Sequence, residues 1–224
     1  RRNSVLFVGG FAHPPNVDAV LFFCRDILPL VKRALGDAEV TIIGARPPKG
    51  VMDLGSDGVI IAGWVPDVTA SLDSHCVAIA PLRFGAGMKG KIGQALAAGL
   101  PVVTTRVGAE GMDLEDGTTA LIADSPEAFA DAVVRLCTDR ELHRNLSEGG
   151  RSHVRHRWDP AVVEGQLLEA IESLRNLSPR RLRGGERLAE RVRDIYARSG
   201  LARKVERARA VAAWYVSRAC RRRR

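Results

Sequence analysis

The stretch PLRFGAGMKGKIGQALAAGLPVV, residues 81–103, joins a buried strand to a glycine-rich loop and then to a helix. The apolar run CVAIAP at residues 76–81 is typical of a buried parallel strand. Three glycines free the loop backbone from side-chain bulk: Gly85, Gly87 and Gly90. The helix predicted from residue 89 points its N–H groups and the positive end of its dipole into this loop. Because Lys89 and Lys91 add full charges, the stretch favours binding of a diphosphate.

The rest of the body alternates apolar runs of strand length with helical patterns. This alternation predicts a Rossmann-like α/β domain over residues 1–177, with a parallel sheet and helices on both faces. We predict strands at residues 4–9, 39–44, 58–62, 76–80, 101–104 and 119–123. We predict helices at residues 17–34, 67–73, 89–98, 126–137, 140–156 and 160–174. Pro29 is expected to kink or divide the first helix, because proline lacks the N–H that an interior helical position donates.

Hydrophobic content, apolar runs and cysteine spacing narrow the class of protein to which this chain can belong. The 224 residues are 46% hydrophobic, and no run of about eighteen or more apolar residues predicts a membrane span. The first residues lack the apolar stretch of a secretion signal, so we expect a cytoplasmic protein. The four cysteines stand apart in sequence, which favours buried free thiols over a metal site or a disulfide. Since the chain begins without methionine, directly at a predicted strand, we expect a piece of a longer protein.

Charge divides the chain in two. Residues 1–177 hold 18 Lys and Arg against 22 Asp and Glu, whereas residues 178–224 hold 16 against 4. In this Arg-rich tail, apolar residues recur between residues 186 and 216 at helical spacings, which predicts one or two amphipathic basic helices. The tail is expected either to attach to an anionic membrane surface, giving a peripheral protein at the inner face, or to form a solvated helix or linker. Nucleic acid ranks below both as a partner, because the body is slightly acidic.

Ligands of open parallel sheets bind beyond the carboxyl ends of the strands, where the strand order reverses. The residues that follow four predicted strands therefore form a candidate substrate-binding site: Gly9, Gly10, His13, Arg46, Trp64, Val65, Arg83, Gly85, Ala86, Gly87, Lys89 and Lys91. The glycine pair serves either a tight turn or ligand approach, and Trp64 is either a rim aromatic or a wall for a nucleotide base. His13 either reaches the phosphates or acceptor side or stabilises its turn. Basic residues in a glycine loop at a helix start favour phosphate contact over a solvated cluster.

Four segments, in the same order, resemble the C-terminal, donor-binding domain of group 1 glycosyltransferases of the GT-B architecture. They are SVLFVGGFAHPPNVDAV at residues 4–20, EVTIIGA at 39–45, GVIIAGWVPDV at 58–68 and the glycine-rich stretch above. The resemblance continues to about residue 174. It implies transfer of a sugar from a nucleotide-sugar donor to an acceptor, with no metal or other cofactor, in cell-envelope polysaccharide synthesis. It also implies an N-terminal acceptor domain, without which the chain should bind donor but transfer poorly. The alternatives are a nucleotide-sugar epimerase and a non-catalytic nucleotide-binding module.

The chain departs from the family pattern at four positions. Many members carry an Arg and a Lys at the donor diphosphate where this chain has Gly10 and Asn16. Many also carry two glutamates, for the transferred sugar and the ribose, where this chain has Ala86 and Gln94. Gln94 can still hydrogen-bond a ribose, whereas Ala86 offers only its backbone. The two lysines of the GAGMKGK loop are expected to supply the missing positive charge. No residue is assigned a catalytic role.

Overall fold

The computed structural model describes residues 3–56 and 58–176 of the chain. The chain divides into two units, Arg1–Arg157 and Trp158–Arg224. The basic helices predicted in residues 178–224 lie outside the described residues. The domain boundary at residue 177 stays a prediction.

The first unit contains the predicted parallel sheet. Its six strands are β1 (Ser4–Val8), β2 (Glu39–Ile43), β3 (Val59–Gly63), β4 (Val77–Ala80), β5 (Val102–Thr104) and β6 (Leu121–Ile122). Every predicted strand is present, with bounds within two residues of the prediction. The strands are ordered β3-β2-β1-β4-β5-β6, and each pairing is parallel. The order therefore reverses between β1 and β4, which makes the carboxyl ends of these two strands the expected ligand position.

Helices connect the strands or follow them, and the last helix belongs to the second unit. They are α1 (Pro14–Phe22), α2 (Leu28–Leu35), α3 (Lys49–Met52), α4 (Thr69–Ser74), α5 (Gly90–Ala98), α6 (Arg106–Ala109), α7 (Pro126–Thr138), α8 (Arg140–Trp158) and α9 (Pro160–Asn176). The sequence did not predict α3 and α6, which have four residues each and are too short to show a helical period. No helix among the described residues is long and apolar enough to span a membrane.

Pro29 divides the first helix, as predicted. A π-helical segment, Phe23–Ile27, separates α1 from α2, and the Leu28 N–H donates to the Phe23 carbonyl across the wider turn. Proline at the next position has no N–H to donate to the carbonyl four residues earlier. The wider turn absorbs this break, so the chain stays helical from Pro14 to Leu35.

Side-chain alternation along the strands builds a core on each face of the sheet. Val5 and Phe7 of β1 pack in one buried cluster with Phe23 of the π-helical segment and Phe129 of α7. Leu6 points the other way, as successive residues of a strand do, and is also buried. The helices α2 and α7 contact each other, and so do α4 and α5. Both faces of the sheet are therefore covered, which confirms the predicted Rossmann-like fold.

Two hydroxyl groups and helix α8 fix the segment that carries the glycine-rich loop. Thr104 Oγ1 donates to the Ala80 carbonyl at 3.0 Å, and Thr105 Oγ1 donates to the Leu82 carbonyl. These bonds tie the end of β5 to the chain that leaves β4. At the other end of α5, Ser147 Oγ of α8 donates to the Gly99 carbonyl at 2.6 Å. The loop between β4 and α5 therefore starts and ends on a rigid frame.

Candidate functional site

A crevice of about 170 Å3 opens at the carboxyl ends of β1 and β4. One wall comes from the start of α1, with His13, Pro15 and Asn16, and the other comes from residues 84–91 of the glycine-rich loop. The crevice lies where the strand order reverses, which is the place expected from the sequence. Two of the four Lys and Arg residues predicted for the site, Lys89 and Lys91, line it.

Lys91 brings a buried ammonium group to the end of β1. Its Nζ lies 4.3 Å from the centroid of the Phe7 ring and donates to Oδ1 of Asn16. A Cβ added at Gly9 would come within 2.9 Å of the Lys91 Nζ, so only glycine leaves room for this cation at the strand end. Burial lowers the pKa of Lys91 from 10.5 to about 8, because the apolar surroundings disfavour the charged form.

Asn16 holds Lys91 in this position. The side chain of Asn16 is only 7% exposed, and its Nδ2 donates to the Gly10 carbonyl at 2.8 Å while its Oδ1 accepts from Lys91. The amide thereby links the turn after β1 to the first turn of α5. From the sequence Asn16 is only the site of a missing cation, and its contact with Lys91 was not predicted. No local pattern could have shown it, because the two residues are 75 positions apart.

Lys89 lies at the N-terminus of α5. It is the N-cap residue, its side chain makes no capping hydrogen bond, and the lysine is only 7% exposed. Its Nζ donates to the Glu110 carbonyl at 3.5 Å. No carboxylate among the described residues lies within 4.0 Å of the Lys89 or Lys91 ammonium groups. The buried Lys89, the half-buried Lys91 and the N-terminal N–H groups of α5 therefore converge on the crevice, and no acidic side chain that the structure describes pairs with either lysine.

The glycine loop adopts a conformation that needs its glycines. Gly85 has φ 125° and Gly87 has φ 81°, values that residues with a Cβ rarely adopt. A Cβ at Gly85 would also press on the Pro15 ring at 3.3 Å. Phe84 and Met88 project from the same loop and are 49% and 65% exposed. The crevice therefore has a polar floor and an apolar rim.

Arg83 lies outside the crevice. It forms a two-pronged ion pair with Asp18 of α1, in which Nε lies 2.9 Å from Oδ2, and its guanidinium stacks 4.7 Å from the centroid of the Phe22 ring. The hydrogen bonds that Arg83 donates to Asp18 raise the pKa of Arg83. A pair that already satisfies the guanidinium fork makes Arg83 a weaker candidate for phosphate contact than the two lysines. Its predicted role stays a prediction.

The other predicted site residues occupy the same edge of the sheet or its neighbouring helix. Arg46 follows β2, is exposed and has φ 56°. Trp64 and Val65 follow β3, where the Trp64 side chain is 70% exposed and Val65 is half-buried. Gln94 is half-buried on α5. The structure places none of these four against the crevice between β1 and β4.

The carboxylates of Asp67 and Asp113 each have a structural partner. Asp67 lies two residues before the start of α4. Its Oδ1 accepts from the N–H and the hydroxyl of Thr69, the first residue of that helix. Asp113, at φ 48°, pairs with Arg157 of α8, and the hydrogen bonds from this arginine lower the pKa of Asp113. Among the residues that the structure describes, no group of three or more His, Cys, Asp or Glu could hold a metal ion.

The family follows from comparison with known proteins. Residues 2–139, more than half of the chain, match the family model described as glycosyl transferases group 1. The chain belongs to this family. It is 30% identical over 179 residues to a phosphatidyl-myo-inositol mannosyltransferase of Mycobacterium leprae, covering 76% of this chain and 46% of the relative. The chain thus spans about half the length of the curated relatives that it matches along most of its own length.

Solved structures share the fold. The C-terminal domain of a group 1 glycosyl transferase (LpcC) from Francisella tularensis has a TM-score of 0.55 at 15% identity, covering 69% of this chain and 86% of that domain. The Anabaena protein HepE, solved in complex with UDP and glucose, has a TM-score of 0.58 at 15% identity, covering 76% of this chain and 48% of HepE. These likenesses show that the chain has the Rossmann-like fold of one half of the GT-B architecture.

Proposed function

We propose that this chain is the donor-binding part of an enzyme that transfers a sugar from a nucleoside diphosphate sugar to an acceptor. The observation that carries the proposal is the convergence of Lys89, Lys91 and the N-terminus of α5 on one crevice. A diphosphate carries two negatively charged phosphate groups, which would pair with the two lysines and the helix N-terminus. Family membership supports the reaction class, and the UDP bound by HepE supports the class of donor.

The proposed role of the two lysines is to stabilise the leaving group. When the bond between the anomeric carbon and the diphosphate oxygen breaks, negative charge grows on the diphosphate. Fixed cations and oriented N–H groups stabilise this charge more in the transition state than in the ground state, which lowers the barrier. The lysines already supply positive charge to the crevice, so we propose that transfer proceeds without a bound metal ion.

We propose that the contact between Asn16 and Lys91 compensates for the cations that many members of the family carry after their first strand. The amide of Asn16 holds the Lys91 ammonium beside Gly9, and Gly10 and Asn16 are the two positions that align with those cations. In this chain the charge comes from the first turn of α5. We propose that Lys91 replaces the lysine that many members carry at the position of Asn16.

Calorimetric titration of the purified chain with UDP, GDP, ADP and TDP, with and without EDTA, tests the proposal. We expect at least one nucleoside diphosphate to bind, with the same affinity in EDTA. The variant with both Lys89→Ala and Lys91→Ala should bind it at least tenfold more weakly, since a charge-assisted hydrogen bond contributes about 1.5–3 kcal/mol. Binding of the matching nucleoside should not change.

A matched control comes from Lys49→Ala, which removes a charge from an exposed lysine that pairs with Asp53 on α3. It should leave nucleotide affinity unchanged. If none of the four diphosphates binds, or if binding disappears in EDTA, the proposed metal-free donor site is wrong. If Lys49→Ala weakens binding as much as the double variant, the effect is one of net charge and the crevice is not the site.

A further inference from the structure

A second cavity, of about 860 Å3, lies at the opposite edge of the sheet from the donor crevice. Cys76, which directly precedes β4, and Cys137, the next-to-last residue of α7, both line it. His75 and His143 border the same space. The proposed donor site uses none of these residues, because they lie at the amino end of β4 and the crevice lies at its carboxyl end.

The Cys76 thiol lies against the end of α7, beside Cys137. It donates to the carbonyl of Leu136, the residue before Cys137, at 3.6 Å, and both cysteines line the same cavity. Both cysteines are half-buried, so a small reagent in the cavity can reach them. The Cys76 backbone is held in place because its N–H donates to the Ser4 carbonyl at 2.9 Å and its carbonyl accepts from His143 Nε2 at 3.0 Å.

We propose that Cys76 and Cys137 are a reversible redox pair that forms a disulfide by exchange with a small-molecule disulfide such as oxidised glutathione. The Cys76 thiolate attacks one sulfur of the reagent, the reagent's S–S bond breaks, and one glutathione leaves and takes up a proton. The Cys137 thiolate then attacks the Cys76 sulfur of the mixed disulfide and expels the second glutathione, which also takes up a proton. Two electrons pass from the protein thiols to the reagent, and two reduced glutathione molecules are released.

The order of attack follows from the opposite directions in which the pKa values of the two thiols are shifted. The hydrogen bond from Cys137 lowers the pKa of Cys76, while the same bond and burial raise the pKa of Cys137. The thiolate is the attacking species, so Cys76 reacts first. Cys24 provides an internal comparison, because burial raises the pKa of its thiol to about 12 and Cys76 does not contribute to that shift. Cys24 should therefore remain reduced when Cys76 reacts.

The disulfide would link the start of β4 to the end of α7 and close a loop of about sixty residues. A loop of this length restricts the unfolded chain, so the oxidised protein should melt roughly 5–15 °C above the reduced protein. Donor binding should not change, because the bond forms at the edge of the sheet away from the crevice.

The test uses the full chain with Cys220→Ser, which prevents pairing through that cysteine. The protein is incubated with graded ratios of oxidised to reduced glutathione, quenched with an alkylating reagent, and mapped by mass spectrometry without reduction. We expect a peptide pair linked through Cys76 and Cys137, loss of two alkylatable thiols, and full recovery in dithiothreitol. This experiment changes neither Cys76 nor Cys137, so its result does not depend on whether variants at these two positions fold.

Single variants then separate the two steps. Cys137→Ser should accumulate one glutathione on Cys76, and Cys76→Ser should react at least tenfold more slowly. Cys24→Ser should behave as the parent protein does. The proposal is overturned if no linked peptide forms, if glutathione remains on Cys76 while Cys137 is present, or if Cys24 reacts as fast as Cys76.

Discussion

The burial of Lys91 makes the affinity for a diphosphate depend on pH. Because burial lowers the pKa of Lys91 to about 8, the free protein carries this charge at pH 7 and has largely lost it at pH 9. If the diphosphate binds only the protonated form, the protonated fraction sets the affinity, and it falls about tenfold between these two pH values. Titration of the chain with UDP at half-unit steps from pH 6.5 to 9.5 measures this change.

The variant Lys91→Met should flatten this dependence. It removes the charge, so UDP affinity at pH 7 should fall about 10- to 100-fold, as expected for the loss of one charge-assisted hydrogen bond. Lys49→Met, which changes an exposed lysine, and His13→Gln, which changes a side chain of the same crevice, should both keep the pH dependence of the parent. A parent protein with constant affinity from pH 7 to 9 would refute the reasoning, and so would a Lys91→Met variant that binds as the parent does.

The same pKa shift predicts a stability effect of known sign. The pKa of Lys91 is lower in the folded chain, so between pH 8 and 10.5 the unfolded chain binds more protons than the folded one. The free energy of unfolding attributable to this residue therefore rises with pH across that window, by about 3 kcal/mol in total. Urea unfolding of the parent and of Lys91→Met at pH 7.5 and 10 isolates the effect as a difference. If the difference in unfolding free energy between the parent and Lys91→Met does not change with pH, the Lys91 ammonium is solvated and its pKa is not lowered.

Three further predictions concern Asn16, Gly44 and the basic tail at residues 178–224. Asn16→Asp places a carboxylate beside the Lys91 ammonium, so it should weaken UDP binding at least tenfold at pH 7 and move the loss of affinity to higher pH, as pH titration would show. Gly44→Ala should unfold or strongly destabilise the chain in a thermal melt, because its Cβ would lie 2.0 Å from the Gly9 carbonyl oxygen. Truncation after Leu177 should leave UDP affinity unchanged and abolish flotation with anionic liposomes, since residues 178–224 carry the excess of basic residues.

The strands were predictable because each follows from local sequence. β4 consists of the apolar residues Val77–Ala80 and is buried at every position, as a central parallel strand is. The start of α7 follows equally well from Ser125, whose hydroxyl accepts from the Ala128 N–H and caps the helix. The bounds of α1 were less predictable: the helix begins at Pro14 and not at residue 17, because prolines fit the first turn of a helix.

The candidate site was only partly predictable. The glycine loop and its lysines belong to one continuous stretch, so their place at the start of α5 followed from the sequence. Arg83 belongs to the same stretch, but its pairing with Asp18 depends on how α1 packs beside the loop. The position of Cys76 beside Cys137 likewise depends on the packing of α7 against the sheet, and cysteines far apart in sequence give no sign of it. A local sequence pattern does not predict contacts between residues that are far apart in the chain.

The proposed replacement of a missing cation by Lys91 would show why an aligned position can mislead. At the place where many relatives carry a lysine, this chain carries Asn16, and alignment alone would count the charge as lost. The structure puts the Lys91 ammonium against that asparagine, so the positive charge lies within a hydrogen bond of the aligned residue. The two side chains meet because β1 and β4 are neighbours in the sheet. A diphosphate is attracted by where the charge lies, whichever element supplies it, so charge balance in this family should be compared across the whole crevice.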